Sequence, residues 1–143
     1  MSFIKKRGKT KFMWLPVTVS TALAKDSLVA FSSGYLIAAT STSAPSTIVG
    51  VLRHTIAATD ADYAVARLVE VEVPVENYVE WEATTTGTAV AADVGLYCDI
   101  SDAVTVNRAA STYDVVQVVG IVSTTKTIVV LNTGVAGCGV IGA

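Results

Sequence analysis

Hydrophobic and polar residues alternate with a period of two in parts of this chain. In the segment Val69–Val73 the valines alternate strictly with glutamates, and in the segment Asn77–Ala83 apolar and polar residues alternate in the same way. Successive side chains of a β-strand point to opposite faces of the sheet. The pattern therefore predicts two strands, each with one buried face and one face that carries glutamates.

Further short apolar runs are separated by stretches rich in Ser, Thr and Gly. About nine or ten such runs at spacings near ten residues are typical of a small β-barrel or β-sandwich. Ser32-Ser33-Gly34 predicts a hairpin turn, and Gly50 predicts a bulge or a close backbone approach. The other predicted strands are Phe12–Leu15 leading into Val17–Val19, Leu28–Phe31, Tyr35–Ala39, Ile48–Leu52, Tyr63–Val73, Val94–Ile100, Val104–Val106, Val115–Val122 and Thr127–Leu131.

Composition supports an all-β domain. Hydrophobic residues make up 52% of the 143 residues and charged residues 15%, which suits one domain with a packed core. Val, Ala, Ile and Thr dominate, and β-branched residues favour strands over helices. We expect a basic and apolar N-terminal arm with the first strand (1–25), a barrel or sandwich domain (26–132) and a Gly-rich tail (133–143).

The positive charges are concentrated at the start of the chain. Five of the ten lysines and arginines lie within the first eleven residues, and all twelve carboxylates follow them. Such an arm could be solvated, contact nucleic acid or dock on an acidic protein surface. The acidic body argues against nucleic acid, and neighbouring aromatic residues favour docking. The candidate partner-binding residues of the arm are Lys5, Lys6, Arg7, Lys9, Lys11, Phe12 and Trp14.

The glutamates of the two alternating segments form a second candidate surface. They could face water, face a basic partner or bind a cation, although the spacing of a calcium-binding EF-hand is absent. One hypothesis places the arm of one subunit on the glutamates of a sister subunit in a salt-sensitive contact. The candidate residues are Glu70, Glu72, Glu80 and Glu82.

Catalytic and metal-binding motifs are missing from the sequence. His54 is the single histidine, it has no nucleophile motif beside it, and no phosphate-binding loop occurs. Cys98 and Cys138 lack metal-ligand spacing; two free thiols are favoured, and a disulfide between them stays open. We therefore expect no enzymatic activity, cofactor or metal.

The N-terminus resembles a secretory signal because the basic residues precede the apolar segment Phe12–Val19 and the pattern Ala22-Leu23-Ala24. Pro16 and Thr18 interrupt the apolar segment, which argues against that interpretation. No apolar run reaches the roughly 18–20 residues that cross a bilayer. We expect no association with membranes.

Six stretches carry a resemblance to a known family. Leu28–Phe31 before Gly34 is followed by Ile48–Leu52 and the turn at Gly87. The second half has the stretches Asp93–Asp99, and Val119–Val122 followed by Ile128–Leu131. Over about 100 residues, this order resembles that of the capsid decoration proteins of tailed phages, which have a small β-barrel. The basic arm, the glutamates and the Gly-rich tail depart from the family pattern.

The resemblance implies a structural protein of the virion, made in the host cytoplasm and seated on the outer capsid surface. Its partner would be the major capsid protein. Copies of the chain would also associate with one another, for example as a homotrimer, and would make multivalent contacts between capsomers. One alternative is a secreted or surface β-domain that binds carbohydrate through Tyr78, Trp81 and Tyr97. Another is a different virion component, such as a head-fibre base or a tail protein.

Overall fold

The computed structural model describes residues 2–75 and 78–131, and these residues contain no α-helix. The all-β prediction is therefore confirmed. The described residues form two short 3₁₀-helices, Pro45–Thr47 and Ala91–Asp93, and the strands β1 Phe3–Arg7, β2 Thr10–Pro16, β3 Leu28–Ser32, β4 Tyr35–Ala38, β5 Ile48–Leu52, β6 Leu68–Pro74, β7 Glu80–Thr85, β8 Tyr97–Asp102, β9 Thr105–Asn107, β10 Val116–Ser123 and β11 Lys126–Leu131.

The last five strands form a closed barrel in the order β7-β11-β10-β8-β9. Neighbouring strands are antiparallel until β9 meets β7, where Thr84 and Thr85 pair in parallel with Thr105 and Val106 and close the barrel. Strand β1 pairs antiparallel with β7, on the edge of β7 that also meets β9. Closure leaves the barrel strands without free edges, except where β1 extends the sheet.

The other five strands form a second sheet, in the antiparallel order β2-β6-β5-β3-β4. This sheet curls on itself, because Val17, just after β2, forms a parallel bridge with Leu36 of β4. The backbone N–H of Thr18 also donates a hydrogen bond to the carbonyl oxygen of Leu36 at 3.0 Å. The two edge strands of the second sheet thus lie side by side at one end.

Strands β3 and β5 lie between two hydrophobic cores. Leu28 and Ala30 of β3 join the core inside the barrel, whereas Val29 joins a core on the other face of the second sheet. In β5, Ile48 joins the barrel core and Val49 joins the core on the other face. A strand that is buried on both faces has a continuous apolar sequence rather than an alternating one, which explains the unbroken runs of these two strands.

Trp81 of β7 is the largest side chain in the barrel core, and it is 0% exposed. Its indole N–H has no hydrogen-bond acceptor among the described residues. Burying an aromatic ring of 150–250 Å² is worth about 4–6 kcal/mol, whereas an unmade hydrogen bond costs about 1–3 kcal/mol. Hydrophobic burial therefore outweighs the missing bond. The predicted burial of Val79, Trp81 and Ala83 on one face is confirmed.

Two predicted glycine positions are confirmed. Ser33 and Gly34 have φ angles of 52° and 85° and connect β3 to β4 as a two-residue turn. At Gly50 an added Cβ would lie 2.2 Å from the carbonyl oxygen of Glu72, so only glycine permits the approach of β5 to β6 at this point. The register of β5 on β3 also shifts next to Gly50.

The N-terminal segment 1–25 contributes one strand to each sheet. Strand β1 belongs to the barrel sheet and β2 to the second sheet, so no break between the sheets falls at residue 26. The predicted strand Tyr63–Val73 is wrong over its first five residues, because β6 begins at Leu68. Hydrogen bonds from Tyr63 and Arg67 side chains hold that stretch in turns. The Gly-rich tail 133–143 lies outside the described residues.

Candidate interaction surface

Strand β1 presents four basic or apolar side chains to solvent. Only Phe3 of this strand is buried, while Ile4, Lys5, Lys6 and Arg7 are exposed. The strand is paired with β7 on one side, and lysines are common on such edge strands because they hinder pairing with other chains. Lys9 in the connection to β2 is also exposed, and Lys11 is partly exposed. The basic residues therefore lie on a fixed strand and turn.

Two of these lysines are paired within the chain. Lys5 Nζ lies 3.6 Å from Glu72 Oε2, and Lys6 Nζ lies 3.3 Å from Glu82 Oε2. Lys126 on β11 lies 3.7 Å from the other oxygen of Glu82. The sequence hypothesis placed the arm on the glutamates of a sister subunit. The structure brings these groups together in one chain, which gives Lys5 and Lys6 intramolecular partners.

Glu72 is a buried carboxylate and not the solvent-facing residue that the alternation predicts. It is 4% exposed, and its Oε2 accepts a hydrogen bond from Thr10 Oγ1 at 2.7 Å. Arg53 Nη1 lies 3.4 Å from Oε1, and Lys5 approaches from β1. A buried carboxylate must be compensated by such partners. Glu72, which lies on β6, thus fastens β1, β2 and the residue that follows β5 to one another.

The remaining basic residues of the segment have no ion-pair partner within residues 2–75 and 78–131. Arg7, Lys9 and Lys11 make none of the ion pairs found in that part of the chain. Glu80 is opposite Arg7 in the register of β1 on β7 and is partly exposed. Arg7, Lys9 and Lys11 surround the turn from β1 to β2, and we call these three residues the basic hairpin. The two strands pair with β7 and β6 and not with each other.

Phe12 and Trp14 form an exposed aromatic face on β2. They are 54% and 59% exposed, whereas Met13 and Leu15 point the other way and pack against the second core. Strand alternation produces this division. Phe12 is opposite Glu72 in register, and the guanidinium of Arg53 lies 5.8 Å from the centre of its ring, within the range of a cation–π contact.

A cleft of about 280 Å³ opens beside Trp14. It is lined by Trp14, His54, Asp62, Arg67, Leu68 and Val69. His54 Nε2 lies 3.4 Å from Glu70 Oε1. Arg67 Nη2 donates to Asp60 Oδ2 at 2.9 Å, and its Nη1 donates to Asp62. The polar groups around the cleft are therefore held in place.

Asp60 fixes the turn that carries Arg67. Its Oδ2 accepts a hydrogen bond from the backbone N–H of Ala57 at 3.0 Å. This bond and the hydrogen bond from Arg67 lower the pKa of the Asp60 carboxyl, because both donors stabilise its charged form. Sequence reasoning missed Asp60, Asp62 and Arg67 as a unit. Their spacing of five and seven residues suits a turn, whereas a strand had been predicted from Tyr63 onward.

Two carboxylates of the barrel organise loops. Asp93 is buried and accepts two hydrogen bonds from Arg108, at 2.8 and 2.9 Å. Arg108 is the main cause that lowers the pKa of Asp93, and the backbone N–H of Val90 is the second. Buried Asp99 accepts bonds from the consecutive backbone N–H groups of 112–114 at 2.6 to 3.0 Å. Both carboxylates therefore accept hydrogen bonds that hold loops of the barrel in place.

The other candidate residues lie at separate places in the described part of the chain. His54 is paired with Glu70 on the surface, and no group of three metal-ligating side chains occurs among the described residues. Cys98 is a free thiol in the barrel core, where burial raises its pKa; Cys138 lies outside the described residues. Trp81 is buried and cannot stack on a carbohydrate, unlike Tyr78 and Tyr97, which are exposed.

Comparisons with known proteins give no assignment. No family model, curated protein or solved structure matches this chain. In the described part of the chain, no helix has the length and apolar character that crossing a membrane would require.

Proposed function

We propose that this protein is a structural component of a virion that binds the outer surface of a phage capsid and stabilises the shell. The observation that carries the proposal is the basic hairpin: three cations without ion-pair partners in the described residues, held at the edge of a closed barrel beside exposed aromatic side chains. The family resemblance of the sequence supplies the identity of the partner, the major capsid protein.

Charge distribution favours an acidic partner. Residues 12–143 contain all twelve carboxylates and five of the ten lysines and arginines. The basic hairpin is therefore a local positive site on an acidic molecule. Complementary charges at an interface increase the rate of association and select the orientation of docking. A negatively charged patch on the capsid protein would orient the hairpin toward the shell and repel the rest of the body.

The architecture suits a protein that holds a shell together. Glu72 ties β1 and β2 to β6 and to Arg53, which follows β5, so the basic hairpin cannot swing freely relative to the two sheets. A preorganised surface loses little conformational entropy on binding. Self-association, for example as a homotrimer, would present several hairpins at once, and multivalency would raise the apparent affinity although each contact is weak.

A single charge reversal with a matched control tests the proposal. Lys9→Glu reverses a cation of the basic hairpin, and Lys25→Glu reverses another exposed lysine that makes no ion pair within the described residues. We expect Lys9→Glu to weaken binding to purified capsids in a sedimentation assay, while Lys25→Glu binds as the unmodified protein does. Both variants should unfold at the same urea concentration as the parent.

The triple variant Arg7→Glu/Lys9→Glu/Lys11→Glu should have a larger effect. Exposed ion pairs contribute about 0.2–1 kcal/mol each, so three lost pairs weaken capsid binding by about threefold to 150-fold. The affinity of the parent should also fall as salt rises above about 0.1 M. Equal capsid occupancy for the parent, the triple variant and Lys25→Glu would refute the role of the hairpin. Absence of binding by the parent would refute the proposed function.

A further inference from the structure

The cleft beside Trp14 combines two exposed apolar side chains. Trp14 and Leu68 are each 59% exposed, although both belong to paired strands in the second sheet. Leu68 pairs with Pro16, two residues after Trp14, so the two side chains lie on one face. Large apolar groups that remain exposed together around a concave surface mark a contact site, and an indole ring offers both an apolar face and a polar N–H.

Polar groups converge on the same cleft and are already fixed. Arg67 is held by Asp60 and Asp62, and His54 is held by Glu70. Binding sites for small molecules usually combine an apolar lining with a few polar groups in defined positions. A ligand here would find acceptor oxygens on Asp62, donor N–H groups on Arg67 and a ring nitrogen on His54, and Arg67 and Asp62 are already ordered by their mutual pair.

The charges around the cleft select against anionic ligands. Asp62 lines the cleft, Asp60 and Glu70 are paired with the lining residues Arg67 and His54, and Arg67 already donates to both aspartates. A phosphate or a nucleic acid backbone would meet carboxylates whose cationic partner is occupied, and like charges repel. The site therefore fits a neutral molecule that has an apolar face and several hydroxyl groups.

We infer that this cleft binds a neutral carbohydrate, with the apolar face of one sugar ring on the indole of Trp14 and its hydroxyl groups on Asp62, Arg67 and His54. Hydrogen bonds from hydroxyl groups to an ionised carboxylate are among the stronger neutral-to-charged contacts. The cleft volume of about 280 Å³ lies near the lower end for small-ligand sites, which suits one or two sugar rings. The inference does not depend on the proposed capsid role.

Titration with simple sugars tests this inference. We would use saturation-transfer NMR and intrinsic fluorescence with methyl glycosides of glucose, galactose, mannose and N-acetylglucosamine, followed by their disaccharides. Trp81 is fully buried, so a fluorescence change on binding reports on Trp14. We expect at least one of these sugars to bind. Trp14→Ala and Asp62→Asn should each weaken its binding by about tenfold or more, and Trp14→Phe should weaken it less.

Tyr97→Ala provides the matched control, because Tyr97 is an exposed aromatic residue on a strand of the other sheet. Binding should be unchanged in this variant. The inference fails if none of the sugars binds, or if Tyr97→Ala and Trp14→Ala weaken binding equally. It also fails if Trp14→Ala abolishes capsid binding while the parent binds no sugar, since the cleft would then be a protein contact. Lys9→Glu should leave sugar binding intact, which separates this site from the basic hairpin.

Discussion

Replacing Gly50 with alanine would place a methyl group 2.2 Å from the carbonyl oxygen of Glu72 on the neighbouring strand. Carbon and oxygen atoms without a bond between them stay more than about 3 Å apart, so β5 and β6 would have to separate by about 1 Å. The hydrogen bonds that connect these strands near Val51 and Glu72 would then be stretched beyond the usual limit of about 3.2 Å for an N–H···O bond.

The expected cost is about 3–5 kcal/mol. Two weakened ladder bonds account for about 2 kcal/mol at about 1 kcal/mol each, and overpacking of a tight core adds about 1–3 kcal/mol. The protein should still fold, because domains of this size are stable by about 5–15 kcal/mol. With a urea dependence of about 1–3 kcal/mol per molar, the midpoint of unfolding should fall by about 1 M or more.

Gly120→Ala is the matched control for this prediction. Gly120 also lies in a strand and does not require a positive φ angle, and an added Cβ would meet Ile128 at an ordinary 3.5 Å. Its stability should stay within about 1 kcal/mol of the parent, since the loss of backbone freedom in the unfolded chain offsets small packing changes. Urea unfolding of both variants, followed by circular dichroism, measures the difference. Equal midpoints for Gly50→Ala and the parent would refute the steric reasoning.

Two further predictions concern the loops of the barrel. Asp99→Ala should lower the free energy of unfolding by about 3 kcal/mol in urea titrations. The three backbone N–H groups of 112–114 each lose their acceptor, and a hydrogen bond that water can replace is worth about 1 kcal/mol. An unchanged midpoint would contradict this. The pKa of Asp93 lies below its ordinary value of 3.8 because of Arg108, so its ion pair stabilises the fold at neutral pH. The difference in urea midpoint between the parent and Asp93→Asn should be constant near neutral pH, begin to shrink near pH 3.8, and vanish at lower pH; a difference that grew on acidification would have the wrong sign.

The sequence predicted the class of fold because the dominant signal was local. Alternation identified the valines of β6 as buried, since a period of two survives whatever the strand packs against. The continuous apolar runs of β3 and β5 also indicated strands. Their burial between two cores could not be predicted, because it depends on which other strands cover each face.

Strand β1 was not predicted as a strand. Only Phe3 is buried in it, so it has no alternating apolar pattern, and an edge strand tolerates lysines on its exposed positions. The strands that close the barrel could not be predicted from the sequence either. Strands β7 and β9 meet through only two parallel residue pairs, and the two segments lie twenty residues apart along the chain.

The candidate surface was predictable in part. The basic residues at the N-terminus and the neighbouring aromatic residues are visible in the sequence, and Phe12 and Trp14 are exposed. Glu72 and Glu70 occupy the same face by alternation, yet only Glu72 is buried, because Lys5 of β1, Thr10 of β2 and Arg53 after β5 all reach it. The cleft beside Trp14 depends on the turn at 57–67, which apolar periodicity does not encode.

Cryo-electron microscopy of native particles that contain this chain tests the capsid proposal most directly. We expect density for the two-sheet domain on the outer surface of the shell, with the basic hairpin turned toward an acidic patch of the major capsid protein. Density for this chain only on a tail structure, or an attached domain whose hairpin faces away from the shell, would contradict the account.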